Sequence, residues 1–269
     1  MNGQSRPGRL AQELWSVAAI AHRDLAKLLR DRPRLAVNLA FPVLLVAGLG
    51  GILQSTVGRV TGLSAVTLAF TGVLAATLFQ STAAGMISVA EDREADFSRT
   101  LFVTPVSRLA LVTGKIAGES LVALCQAACV TVFAMAAGVR MTGGQLAALI
   151  APCLACCLLG GAFGLATVAS LRSQRSAMEI FQFLIIPQYV LGGVLVPLHG
   201  APGYLTAAAQ VMPLRYAVDL TRAAFYHGLP GYHEAVTTAL GPDAAVAGAM
   251  IVVLLTAGAA LFSYRERTR

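Results

Sequence analysis

Six stretches of this chain stay apolar for about twenty residues or more, with short polar segments between them. They fall at residues 35–55, 63–90, 109–138, 145–171, 177–197 and 244–264. The hydrocarbon core of a bilayer is about 30 Å thick and takes about 20 apolar residues to cross as a helix. The pattern therefore predicts an all-α, polytopic membrane protein with six transmembrane helices. The deep part of the third span starts near Ser120.

Two segments keep a different period. Near the N-terminus, Leu10, Leu14, Val17, Ala21, Leu25 and Leu28 recur at three- and four-residue steps, while Arg9, Gln12, Glu13, Arg23, Lys27 and Arg30 mostly avoid that stripe. This is an amphipathic helix lying in the membrane interface, with Trp15 as its anchor. The apolar run here is only eight residues long and follows Glu13, which argues against a signal peptide. Arg32-Pro33-Arg34 then turns the chain into the bilayer. Between the last two spans, residues 198–243 are helix-like and half apolar, but Pro213, Arg215, Asp219 and Arg222 make them too polar to cross. A re-entrant or outer helical hairpin fits this segment, with a solvated loop as the alternative. Asp219 and Arg222 are spaced to pair along one helix face.

Composition agrees with a membrane chain: 57% of the 269 residues are hydrophobic and 12% charged, too few to coat a globule. The net charge of +7 raises nucleic acid as a partner, but the placement of the cations excludes it. Arg6, Arg9, Arg23, Lys27, Arg30, Arg32, Arg34, Arg93, Arg99, Arg108, Lys115, Arg172, Arg175, Arg265, Arg267 and Arg269 fall on one side of a six-span layout. Only Arg59, Arg140, Arg215 and Arg222 fall on the other. Cytoplasmic loops carry the excess of Lys and Arg, so both termini and residues 91–108 are expected in the cytoplasm of a plasma (inner) membrane protein.

Residues 91–108 are the exception to the greasy pattern. Glu91, Asp92, Glu94 and Asp96 crowd six positions, followed by Phe97, Arg99 and Phe102. The rest of the chain offers no source of energy. No phosphate-cradling G-x-x-x-x-G-K-[ST] occurs, nor H-E-x-x-H, nor G-x-S-x-G. The four histidines are scattered, and the five cysteines sit in apolar runs as small helix residues. An ion-coupled carrier needs an acid or histidine deep in the membrane, and the deep parts of all six spans lack one. Glu119 and Glu179 lie near cytoplasmic helix ends; Lys115 and Glu119 are spaced to pair, with snorkelling to the interface as the favoured alternative. A transporter of this composition is driven by a partner, and the charged segment is a handle for that partner. The alternative for the handle is an ordinary solvated loop.

The segment "EDREADFSRTLFVTPVSRLALVTGK" and the block "LGGVLVPLHGAPGYLTAAAQVMPLRYAVDLTRAAFYHG", in a layout of interfacial helix, six spans and short tail, resemble the ABC-2 type permeases. These are the membrane subunits of ATP-binding-cassette exporters, and the drug- and lipid-exporting, daunorubicin-resistance-like branch is the most similar. Ala95-Asp96 stand where the family often has a glycine, and Met212 where it has an asparagine.

The resemblance implies a division into a cytoplasmic segment 1–34, a six-span domain 35–264 with a coupling segment 91–108 and an outer hairpin 198–243, and a cytoplasmic tail 265–269. It implies a permease subunit exporting a hydrophobic drug-like or lipid-like molecule, with a polysaccharide or lipid-linked glycan as the alternative cargo. Its partners would be two separate ATPase subunits, a second permease (identical or homologous) and the bilayer. The chain itself would hold no cofactor and no catalytic or metal site, since ATP and Mg would be bound by the ATPase. Glu91, Asp92, Arg93, Glu94, Asp96, Phe97 and Arg99 would couple to that ATPase. Gly48, Gly50, Gly51, Gly192 and Gly193 are candidates for the seam with the second permease, because small residues let helices approach. The Gly160–Gly164 motif is assigned instead to packing within the subunit. Asn38, Thr77, Gln80, Ser81, Gln182, Gln188 and Tyr189 are candidates for the substrate path, with helix-to-helix hydrogen bonding as the alternative. Pro213, Arg215, Tyr216, Asp219 and Arg222 would belong to the outer gate.

Overall fold

The computed structural model describes residues 32–54, 64–88, 108–171 and 173–267. The described residues form helices and no strands: α1 Arg32–Gln54, α2 Ala65–Ile87, α3 Arg108–Ala136, α4 Gly143–Ser170, α5 Gln174–Leu191, α6 Gly203–Gln210, α7 Pro213–Phe225, α8 Tyr232–Ala235 and α9 Leu240–Arg267. Four helical stretches are long and apolar enough to cross a membrane: Ala65–Ile87, Val112–Ala136, Gly143–Ser170 and Tyr232–Leu261. In α1 the apolar run is shorter, Asn38–Ile52. In α5 the 18 residues include Arg175, Glu179, Gln182 and Gln188, so the helix is too polar to join the four. The interfacial N-terminal helix and the coupling segment lie outside the described residues.

Local chemistry explains the helix ends. Ser64 caps α2 by accepting from the Thr67 N–H. Thr142 and Gln145 cap α4 reciprocally, the Thr142 Oγ1 accepting from Gln145 N at 3.2 Å while Gln145 Oε1 accepts from Thr142 N at 2.8 Å. The expected fifth span is shorter than its apolar run. It ends at Leu191, because Gly192 caps it and Gly193 turns the chain at φ +68°.

Helix α2 is the hub. Within its apolar window 78% of residues are buried inside the chain, against 11% for the last span. It packs against α4, α3, α1 and α7, and α4 in turn packs against α9 and α7. The α2–α4 contact is close because Gly160 faces the Phe79 carbonyl and Gly164 the Ala83 carbonyl, so either Cβ would run into backbone. The glycine motif is thus spent inside the subunit, as its sequence position suggested. Phe163 of α4 bridges Phe79 of α2 and Phe181 of α5, with ring centroids 5.5 and 6.3 Å away. Outward, Phe41, Leu44, Phe183, Ile186, Val252 and Val253 are exposed, an apolar shell suited to lipid or to a second membrane subunit.

Candidate functional site

Helix α7 reads as an amphipathic surface helix, yet it is buried at every position except Ala224. Four elements hold it. At its N-terminus, Pro213 has no N–H and so needs no acceptor, and Leu214 N donates to Gln188 Oε1 of α5 at 3.4 Å. Along its flank, Cys156 of α4 donates to the Ala217 carbonyl at 3.5 Å. At its C-terminus, Gln145 Nε2 donates to the Phe225 carbonyl at 3.2 Å. The Phe225 ring meets Phe70 of α2 edge-on at 6.0 Å. Tyr216 ties the preceding helix in by donating to the Gln210 carbonyl at 2.8 Å.

The polar stripe of α7 therefore points into protein. Arg222 is 1% exposed and donates through Nη2 to the Val194 carbonyl at 3.3 Å. That carbonyl rests against Gly72 of α2, which has no side chain to hold it off. Arg215 donates to Thr238 Oγ1 at 3.2 Å. Asp219 accepts from the backbone N–H and the hydroxyl of Thr237. Asp243, in the first turn of α9, lies within hydrogen-bonding reach of the Asp219 carboxyl. Burial pushes the Asp219 carboxyl above its ordinary range, against the pull of Arg222. It also draws the Arg222 guanidinium down to about 10. Asp219 and Arg222 attract one another, but the expected close pair does not form. Among the described residues the ion pairs are Lys115–Glu119 and Arg175–Glu179. The Arg222 guanidinium instead turns to the loop after α5.

The predicted gate residues Pro213, Arg215, Tyr216, Asp219 and Arg222 are thus gathered in one buried cluster. Sequence reading missed Asp243, Thr237, Thr238 and Gln145, which complete it. Asp243 is 24 positions from Asp219 and reads from sequence as the edge of a span, so no local spacing links the two.

The predicted path residues are dispersed. Gln80 Oε1 accepts from the Tyr189 hydroxyl at 3.0 Å, joining α2 to α5. The Thr77 hydroxyl is buried and donates to its own helix at the Val73 carbonyl, 2.7 Å away. Ser81 and Asn38 are half-buried, and Gln182 is exposed. Gln188 is buried and caps α7. Of the seam candidates, Gly48 and Gly51 face open space, Gly50 abuts Val66 of α2, and Gly192 and Gly193 form the turn after α5. The coupling residues Glu91, Asp92, Arg93, Glu94, Asp96, Phe97 and Arg99 lie outside the described residues.

On α3, Lys115 Nζ and Glu119 Oε1 are 2.9 Å apart and both residues are 8% exposed. This corrects the snorkelling reading. Gly85 of α2 leaves room for the Glu119 carboxyl, so the pair lies between helices instead of reaching for the interface.

No curated protein matches the chain. A family model does, over residues 16–226, and its description is ABC-2 type transporter. The matched stretch takes in α1 through α7, including residues 91–108 and the buried residues of α7. By this match the chain, a multi-pass membrane protein built of apolar helices, belongs to the ABC-2 type transporter family.

Proposed function

We propose that the chain is the membrane-spanning permease subunit of an ATP-binding-cassette exporter, moving a hydrophobic drug-like or lipid-like molecule outward. A neutral membrane interior carries this reading. Among the described residues, α2 and α4 hold no Asp, Glu, Lys, Arg or His, and the charges of α3 beyond its first residue are the mutually paired Lys115 and Glu119. These three helices, so built, offer no unpaired charged group to bind a coupling ion at depth. The sequence also lacks a phosphate-cradling loop, so the work comes from a separate ATPase.

In this reading the chain crosses six times, with α1 and α5 as first and fifth spans and both termini in the cytoplasm. Two permeases face each other near Gly48 and Gly51. Residues 91–108 seat in the ATPase, and ATP-driven closure of the ATPase pair tilts the helices they connect, α2 and α3. The segment from α6 to α8 re-enters the outer side as the gate.

The test is co-purification with the ATPase encoded beside this chain. Wild type is expected to retain the ATPase. Reversal of Glu91, Asp92, Glu94 and Asp96 to lysine is expected to lose it without loss of folded permease. A drug-like or lipid cargo should then raise ATP hydrolysis by the reconstituted complex. Retention of the ATPase by the reversed chain sinks the handle, and stimulation by glycans alone replaces the cargo.

A further inference from the structure

Two buried carboxyl oxygens in the α7 cluster have no hydrogen-bond donor: Oδ2 of Asp219 and Oδ2 of Asp243. The two residues are 2% and 3% exposed, and their carboxyls are hydrogen-bond neighbours. A carboxylate only accepts, so two ionised carboxylates in this position repel and leave both oxygens unsatisfied. One proton placed between them turns the same contact into an O–H···O bond. Asp219 accepts from Thr237 and Arg215 donates to Thr238, and in this structure neither Oδ2 receives a hydrogen bond from the Arg215 guanidinium.

The surroundings fix the charge balance. On α7 the groups facing the pair are Arg215, Arg222 and Tyr216. From the segment between α8 and α9 come the uncharged Thr237 and Thr238. Helix α4, packed against both α7 and α9, brings Cys156 beside Thr221 and no charged residue. Helices α2 and α6 carry no ionised side chain, and those of α5, Arg175 and Glu179, stand near its start, away from the Gln188 end that meets α7. Helix α8, which also packs on α7, carries His233 and Glu234, and both are exposed.

We propose that Asp219 and Asp243 hold a single proton between them, and that this shared proton latches α7 to the head of α9. Loss of the proton to solvent leaves two facing negative charges in a dry site and drives the helices apart. Regain of the proton closes them. The latch therefore holds in acid and loosens as pH rises. The pair itself rests on the contact between α7 and α9; only its position on the outer side rests on the exporter reading.

Hydrogen exchange of the purified full-length chain in lipid nanodiscs tests the latch without ATPase or cargo, so export and latch fail separately. The readout is the opening equilibrium of amides in residues 213–225 and 240–247, corrected for intrinsic exchange. Closing takes up one proton, so opening is expected to rise about tenfold per pH unit above the ordinary carboxyl range, then level off once the pair is ionised. Asp243→Asn places a permanent N–H donor against Asp219 and is expected to abolish the slope while keeping acid-like protection. A flat wild-type profile, or an unchanged slope in Asp243→Asn, overturns the proposal. A slope that disappears when sodium is exchanged for choline assigns the site to a metal cation and also overturns it. Should the variant fail to fold, infrared titration of wild type decides instead: a protonated carboxyl band persisting toward neutral pH supports the shared proton, and its absence refutes it.

Discussion

Lys115 and Glu119 show how much one glycine controls. They sit one turn apart on α3, a spacing that pairs charges on any helix surface. Here the surface is closed by α2, and only the missing side chain at Gly85 admits the carboxyl. Removing one member of a buried pair leaves a charge with no partner, which costs about 3–5 kcal/mol, while an apolar pair of similar volume is often neutral. Lys115→Met is therefore expected to lower the thermal midpoint of the purified chain sharply, and Lys115→Met with Glu119→Leu to recover most of the loss. Equal midpoints for the single and double variants would mean that the pair is solvated. Arg222 is held by the same logic: its Nε is buried without a hydrogen-bond partner, and the Val194 carbonyl and the nearby Asp219 offset the burial.

At the scale of elements, the α2–α4 contact and the open face of α1 separate two uses of glycine. A Cβ on Gly160 meets the Phe79 backbone, which has no rotamer to escape into, so Gly160→Val forces α4 away from α2. Overpacking a core costs typically about 1–3 kcal/mol, and a clash with backbone belongs at or above the top of that range. Gly48 meets nothing within 4 Å, so Gly48→Val should leave the monomer's thermal midpoint unchanged. In the proposed assembly it should weaken permease self-association, measured by cross-linking in membranes. Unfolding of Gly48→Val, or tolerance of Gly160→Val, would reverse these assignments.

For the whole molecule, the proposed sidedness rests on charge. Residues 227–230 form an exposed turn after α7, with Gly228 at φ +73°. An epitope inserted after Gly228 is expected to be labelled on intact cells, and epitopes at either terminus only after permeabilisation. Labelling of all three from one side would contradict the six-span layout. In the proposed layout Arg215 and Arg222 fall on the cation-poor side, and both are buried, facing protein and not a loop open to the membrane surface.

The sequence alone determined the all-helical membrane class, the apolar runs behind four crossing-length helices, the glycine motif of α4 and the polar residues of α7, because hydrophobic length and periodicity act locally. Family membership was legible for the same reason, in contiguous motifs. Tertiary structure decided what those residues touch. It set Gln188 against the start of α7 as its cap and buried Lys115 and Glu119 against Gly85. It also set Asp243 against Asp219 across the chain between α7 and α9. Such contacts join residues far apart in sequence, and they depend on which helix faces meet, a choice made by packing volume and by the need to satisfy buried polar groups.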